Sequence, residues 1–307
     1  MSRGEMPPSS KGALLLLLAC LGGLALGEVG DFSHCLDFFY KRMPPQGINT
    51  EQGRYLAPIC QRYKNQYRFA SLYHRQHRTP WYSAYIITPP AGKRPASKWM
   101  YEPQLAFSKA PQEMSPFPSR KFIDQNLMES QAMLLDYTNS SYTKGHLNPS
   151  LHHQETLDRR ATFTLTNIVP QQKGSNSGPW AQLEVEVKTR FLTFCDGPMY
   201  VITGAIPYLS GDRWIKNRVA VPEYMWSAYC CPSYNASLPE SARIHFPTYA
   251  AVGRNDPQSG EDIVPVDRDA RPSPRGYDVK QMPLEALEAI LEQRLGMPVS
   301  LFHEQCG

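Results

Sequence analysis

The segment that most constrains the fold runs from Tyr142 to Phe194. It reads YTKGHLNPS (142–150), then TFTLTNIVP (162–170), then GSNSGPWAQLEVEVKTRFLTF (174–194). In the last part Ser177 or Gly178 can cap a helix and Pro179 suits its first turn. Trp180, Leu183, Val187 and Phe191 then recur on one helical face. Thr162 to Pro170 alternates Phe163, Leu165 and Asn167 against threonines, which predicts a strand with one face buried. A strand-end histidine, a second strand and a helix that begins with asparagine follow in order. Packing that helix across both strands brings His146 and Asn176 together, although thirty residues separate them.

The rest of the chain predicts a mixed α+β domain. Residues 81–88 are β-branched and aromatic, end at Pro89-Pro90 and predict a buried strand. Pro89 to Pro118 is broken by prolines and reads as loop, and residues 125–135 have the spacing of a short helix. Met199 to Ile206 reads as a central strand and residues 207–275 as a long irregular region. Pro283 to Gly296 predicts an amphipathic helix that stops on glycine.

The N-terminus adds a compartment. Arg3 and Lys11 precede the apolar run Ala13 to Gly27, a pattern that reads as a secretory signal peptide cleaved near Gly27–Glu28. The alternative is an uncleaved anchor. Against it, the run is shorter than the roughly 20 residues a spanning helix needs and is broken at Gly22-Gly23. The expected organisation is residues 1–27 as signal peptide, 28–54 as a disulfide-bearing segment and 55–307 as the main domain. The expected location is extracellular, with no stable membrane insertion after cleavage.

Cys20 leaves with the leader, and Cys35, Cys60, Cys195, Cys230, Cys231 and Cys306 remain. An even number in a secreted chain reads as up to three disulfides. Cys35–Cys60 is the favoured pair because both lie in the N-terminal segment. Cys230-Cys231 reads as disulfide-bound rather than catalytic, and the absence of C-x-x-C spacing argues against zinc. Asn139-Ser-Ser and Asn235-Ala-Ser are glycosylation sequons, whereas Pro149 excludes Asn148. The formal charge is +4, with no polybasic run, so an anionic partner is tolerated but not demanded.

Phosphodiester hydrolysis needs a base for water, positive charge on the phosphate and support for the leaving oxygen. A neutral imidazole meets the first need. A divalent ion held by one or two oxygen ligands meets the others. Glu184 lies eight residues beyond Asn176, about two helical turns. The sequence GHLNP, followed by TNIVPQ and N-x-x-x-W-x-x-L-E, resembles the DNA/RNA non-specific endonuclease family, whose active site is of the ββα-metal type. The resemblance extends from about residue 55 to 295.

The resemblance implies a central mixed or antiparallel sheet flanked by helices, Mg²⁺ or Mn²⁺ as cofactor, and the DNA or RNA backbone as substrate. It implies His146 as general base, Asn176 as direct metal ligand and Glu184 as the acid that orients metal-bound water. Asn167 would support the site, and Asn148 would brace the turn or approach the phosphate. The family's turn begins Asp-Arg-Gly-His where this chain has Thr143-Lys144-Gly145-His146. Lys144 keeps the charge without the bidentate fork. In KRPASKW neither Arg94 nor Lys98 aligns with the family's arginine ahead of Trp99, and Arg94 is taken as the phosphate-facing cation.

Three other readings compete. Alone, a Gly-His-x-Asn-Pro turn is often structural, and His152-His153 with His146 suggests a zinc pair. An inactive nuclease scaffold serving as an extracellular binding module is the alternative function. An imidazole with an ordinary pKa would be protonated in acid, so a strongly acidic optimum would argue against a histidine base.

Overall fold

The computed structural model describes Met1 and residues 29–48, 55–89, 92–96 and 98–306. The expected leader and its cleavage point lie outside them. Strands β1 (Leu56–Tyr63), β2 (Gln66–His74) and β3 (Thr79–Ile87) form a meander. A hairpin of β4 (Tyr142–His146) and β5 (Ile168–Gln172) stands apart from the main sheet. Then come β6 (Met199–Ile206), β7 (Tyr224–Cys230), β8 (Thr248–Arg254) and β9 (Val279–Met282). The main sheet has seven strands in the order β1-β2-β3-β6-β7-β8-β9. Every neighbouring pair in it is antiparallel.

Side-chain alternation divides the sheet between two cores. Along β7, Tyr224, Trp226, Ala228 and Cys230 enter one cluster and Met225 and Tyr229 the other. The helices that frame the site and the two cores are Thr156–Ala161 (α1), the single turn Lys173–Asn176 (α2), Pro179–Phe194 (α3) and Leu284–Leu295 (α4). Trp180, Leu183, Val187 and Phe191 of α3 cover the Met225 face, and Leu284, Leu287 and Leu291 of α4 cover the other. Gly296 ends α4 with φ 74°, the left-handed cap that glycine adopts without strain. The result is a helix–sheet–helix sandwich, α+β in class.

Three disulfides join Cys35 to Cys60, Cys195 to Cys231 and Cys230 to Cys306. The first ties the N-terminal segment to β1. Phe39, Tyr40 and Ile48 of that segment share the core with Tyr82, Ile202 and Trp226. Cys230 and Cys231 face opposite cores, so one strand end is bonded to both sides of the sandwich.

Several expectations need correction. Thr162 to Asn167 is not strand: Leu165–Asn167 forms a 3-10 turn and pairing begins at Ile168. All residues of this stretch are buried, so threonines that suggested a wet face find internal partners. Thr166 Oγ1 accepts from Gln61 Nε2 at 2.9 Å, and Thr162 Oγ1 donates to the Arg159 carbonyl at 2.8 Å. The helix expected at 125–135 stops at Ser130, and Leu134–Tyr137 makes a separate turn. Between them Gln131 is fully buried and donates to the Glu102 carbonyl. The 89–118 loop contains the short pair Met100–Tyr101 and Ser115–Pro116 and one turn at Pro103–Ala106.

The largest miss is residues 207–275, which hold two interior strands, β7 and β8. Every residue of β7 is buried. A strand covered on both faces shows no alternation to read.

Beyond β8 the chain is fixed by Arg254 and Asn255. Arg254 is fully buried and donates to the carbonyls of Ser259, Gly260, Val264 and Gly276 at 2.7–3.1 Å. Asn255 Nδ2 donates to the Pro170 and Pro222 carbonyls, and its Oδ1 accepts from Gln172 N at 2.8 Å. This asparagine fastens the β4–β5 hairpin to the main sheet.

Candidate active site

In the hairpin Tyr142 pairs with Gln172 and His146 with Ile168. Lys144 and His146 are two residues apart and share one face. Gly145 is enclosed: a Cβ there would lie 2.3 Å from Gln171 Oε1. After His146 the chain turns over a fully buried amide. Asn167 Oδ1 accepts from Ser83 Oγ and from Asn148 N, each at 2.9 Å. Its Nδ2 donates to the carbonyls of Asn148 (2.9 Å) and Thr162 (3.0 Å). Ser83 is linked through Ser71 to Gln61, so a polar line across β3, β2 and β1 holds the turn. Asn167 therefore orients the site from below and does not line it.

A cleft of about 320 Å³ lies between the hairpin, α1 and the start of α3. Arg94, Lys144, His146, Arg159, Asn176 and Glu184 line it. Residues from five separate stretches thus converge on one space. The His146 ring packs against Trp99 and Phe163, with centroids 5.7 and 5.3 Å away. Its Nε2 is buried and has no hydrogen-bond partner among the described residues. Burial, reinforced by the Arg94 charge, pushes the imidazole down to about 3, so it is a neutral base across the physiological range.

Asn176 and Glu184 do not sit on one continuous helix, as their spacing suggested. Asn176 ends α2, and Gly178 forms the N-cap of α3. A Cβ on Gly178 would meet the Gly174 carbonyl at 2.2 Å, so the tight junction needs glycine. Asn176 Nδ2 donates to Thr143 Oγ1 at 2.8 Å, and that hydroxyl donates to the Gln171 carbonyl at 2.8 Å. Thr143 thereby fixes the amide, with the asparagine carbonyl oxygen as its remaining acceptor. Glu184 is half-buried, and burial pushes its carboxyl up to about 8, partly offset by Arg94. Lys144 Nζ lies 5.3 Å from the Trp99 ring centroid and 5.5 Å from that of Tyr137, and burial lowers its pKa.

Other expected residues fall elsewhere. Asn148 is fully buried and its Oδ1 accepts from His153 Nε2 at 2.6 Å, which ties the turn to the segment that follows it. His152 donates from Nε2 to the Glu184 carbonyl at 2.8 Å and accepts at Nδ1 from the Tyr85 hydroxyl at 2.9 Å. Both histidines of the suggested zinc pair are thus engaged in holding the cleft walls. Among the described residues no group of three or more His, Cys, Asp or Glu side chains forms a metal cage. Arg94 is exposed at the cleft rim, with its guanidinium 5.2 Å from the Phe163 ring centroid. Arg159 was missed by the sequence reading. It is buried in the cleft wall and donates to the Gly92 carbonyl at 3.0 Å. Its only signal was the Arg159-Arg160 pair inside a short helix.

A hairpin that presents a half-buried histidine against a helix that presents an acid, with an asparagine at their junction, is the ββα arrangement. The family model for DNA/RNA non-specific endonucleases matches residues 47–279. The chain belongs to the DNA/RNA non-specific endonuclease family. Among its relatives in that family, the human endonuclease domain-containing 1 protein is 33% identical over 225 residues, 72% of this chain and 43% of that protein. A nuclease from Nostoc sp. is 30% identical over 145 residues, 46% of this chain and 52% of that one. The chain spans about half the length of these relatives. In a solved structure, the EndoG/EndoGI complex, a chain aligns with a TM-score of 0.47 and 20% identity, over 74% of this chain and 81% of that one.

Proposed function

We propose that this family member is a metal-dependent endonuclease that hydrolyses phosphodiester bonds of DNA and RNA with little sequence preference. The observation that carries this reading is the unpartnered, buried Nε2 of a neutral His146 in a cleft shared with Asn176 and Glu184. A buried nitrogen without a partner is destabilising unless something else uses it. A water positioned in the cleft would give its proton to this nitrogen and attack phosphorus. Arg94 and Lys144 would face the phosphate, with Arg159 adding positive charge behind them.

The donor set fits Mg²⁺ or Mn²⁺. Asn176 offers a carbonyl oxygen held in place by Thr143, and Glu184 offers a carboxylate that a cation would favour in its ionised form. Hard oxygen donors in small number suit ions that retain several waters. When bound, the ion would supply positive charge for the phosphate and the leaving oxygen.

The test is nicking of supercoiled plasmid by chain 28–307 near pH 7.5. Nicking should require Mg²⁺ or Mn²⁺, stop with EDTA and fall at least about 10²-fold in Asn176→Ala. Nicking that persists in EDTA, or equally in Asn176→Ala, would overturn the assignment of this cleft.

The same reading has the protein secreted. Three disulfides suit an oxidising compartment. No helix among the described residues is long and apolar enough to cross a membrane. Asn139 and Asn235 are both exposed. Chain recovered from the medium of eukaryotic cells should begin near Glu28 and lose mass on enzymatic deglycosylation. Asn139→Gln with Asn235→Gln should abolish that loss; an unshifted wild type would rule the glycans out.

A further inference from the structure

A second, larger groove of about 930 Å³ lies on the other side of the α2–α3 junction. Its lining includes Lys173, Ser177, Gln182, Arg271 and Ser273, two cations with no carboxylate. The two spaces meet at that junction, residue by residue. Asn176 and Ala181 line the cleft, whereas Ser177 and Gln182, the next residues along, line the groove. One residue is a rotation of about 100° on a helix, so a chain leaving the cleft passes over the edge of the junction into the groove.

The groove walls are fixed in place. The Tyr277 ring lies where a Gly174 Cβ would be, 2.1 Å from it, so the far wall is closed down on α2. That wall belongs to the excursion clasped by the carbonyl bonds of Arg254. Lys173, on α2, and Arg271, on that far wall, are both exposed. Basic and hydroxyl side chains without a carboxylate suit a polyanion whose charges recur along its length, and they carry no feature that would read a base.

We propose that this groove is a secondary binding track for the nucleic-acid backbone, holding phosphates that flank the scissile one, with Lys173 and Arg271 as its charge contacts. The inference rests on the nuclease reading for the direction of the strand, but the binding it describes is measured without cleavage. The track makes the enzyme's preference depend on substrate length: a substrate confined to the cleft gains nothing from it. Sequence plays no part in that preference.

The experiment uses a DNA duplex of about 20 base pairs in EDTA, with fluorescence anisotropy read across a salt series. The chains are wild type, Lys173→Ala/Arg271→Ala and Lys109→Ala, the last an exposed cation that lines neither space. The double variant should bind at least about 10-fold more weakly and lose about two from the slope of log affinity against log salt. Lys109→Ala should match wild type. With metal restored, the double variant should cleave plasmid with raised KM and unchanged kcat, and cleave a mononucleotide p-nitrophenyl ester like wild type. Equal binding by wild type and the double variant overturns the track, as does a wild type that binds no duplex. If nothing is cleaved but the double variant alone loses binding, the nuclease reading fails and the track stands.

Discussion

Lowering the pH from 7.5 to about 5 should destabilise the folded chain by roughly 2 kcal/mol for each of His74, His152 and His153. All three are buried, and burial pushes each down to about 3 from an ordinary value of 6.5. A folded-state pKa below the unfolded one gives stability that is complete above 6.5 and is lost as pH falls from there towards 3. At about pH 5 the unfolded chain has taken up the protons and the folded chain has not. Each such loss is a sizeable share of the stability of an ordinary domain, about 5–15 kcal/mol. Glu184, pushed up to about 8, acts in the opposite direction over the same interval. Urea unfolding at stepped pH with disulfides intact measures this directly. A midpoint that stays constant down to pH 5 would mean that these rings are not held neutral. His152 and His153 brace the cleft, so activity should fail along with stability.

His146→Ala should lower kcat by about 10²- to 10⁴-fold, the range for losing a positioned general base. The fold should persist, because the ring contacts only Trp99 and Phe163 among aromatic neighbours and its Nε2 holds no bond whose loss would strand a partner. Substrate affinity measured in EDTA should change little. The wild-type pH profile carries a second mark of this residue. With the imidazole near 3, its protonation does not set an acid limb at the usual histidine value. Activity at pH 5 is then compatible with a histidine base, contrary to the expectation from an unperturbed ring. Where activity fades in acid, it should fade with the unfolding transition. Unchanged nicking by His146→Ala would instead favour the binding-module reading.

The motif order was legible because each residue type was forced by a local need. Glycine precedes His146 since Gln171 fills the space beside it, and the apolar stripe of α3 is long enough to declare its period. The seven-stranded sheet was only partly legible. The interior strands β7 and β8 are rich in Ala, Ser, Tyr and Gly and are covered on both faces, so neither alternation nor a bulky apolar run marks them. At the site, the cleft membership of Lys144, His146, Asn176 and Glu184 followed from two motifs and one packing idea, and that of Arg94 from the family resemblance alone. What sequence spacing did not reveal was which polar residues turn inward. Asn148 and Asn167 both turn inward: Asn167 bonds Ser83, the Asn148 backbone and the Thr162 carbonyl, and Asn148 accepts from His153. Thr143, which stands where the family's turn has aspartate, takes up the task of orienting Asn176.

The neighbouring cysteines at the end of β7 make the chain's bonding pattern sensitive to a single-residue slip. Because Cys230 and Cys231 point to opposite sides, shifting the strand by one place would exchange them, offering Cys231 to Cys306 and Cys230 to Cys195. Correct oxidation therefore doubles as proofreading of the central strand. A peptide map of misfolded material should carry the swapped linkages as a covalent record of which molecules threaded that strand wrongly.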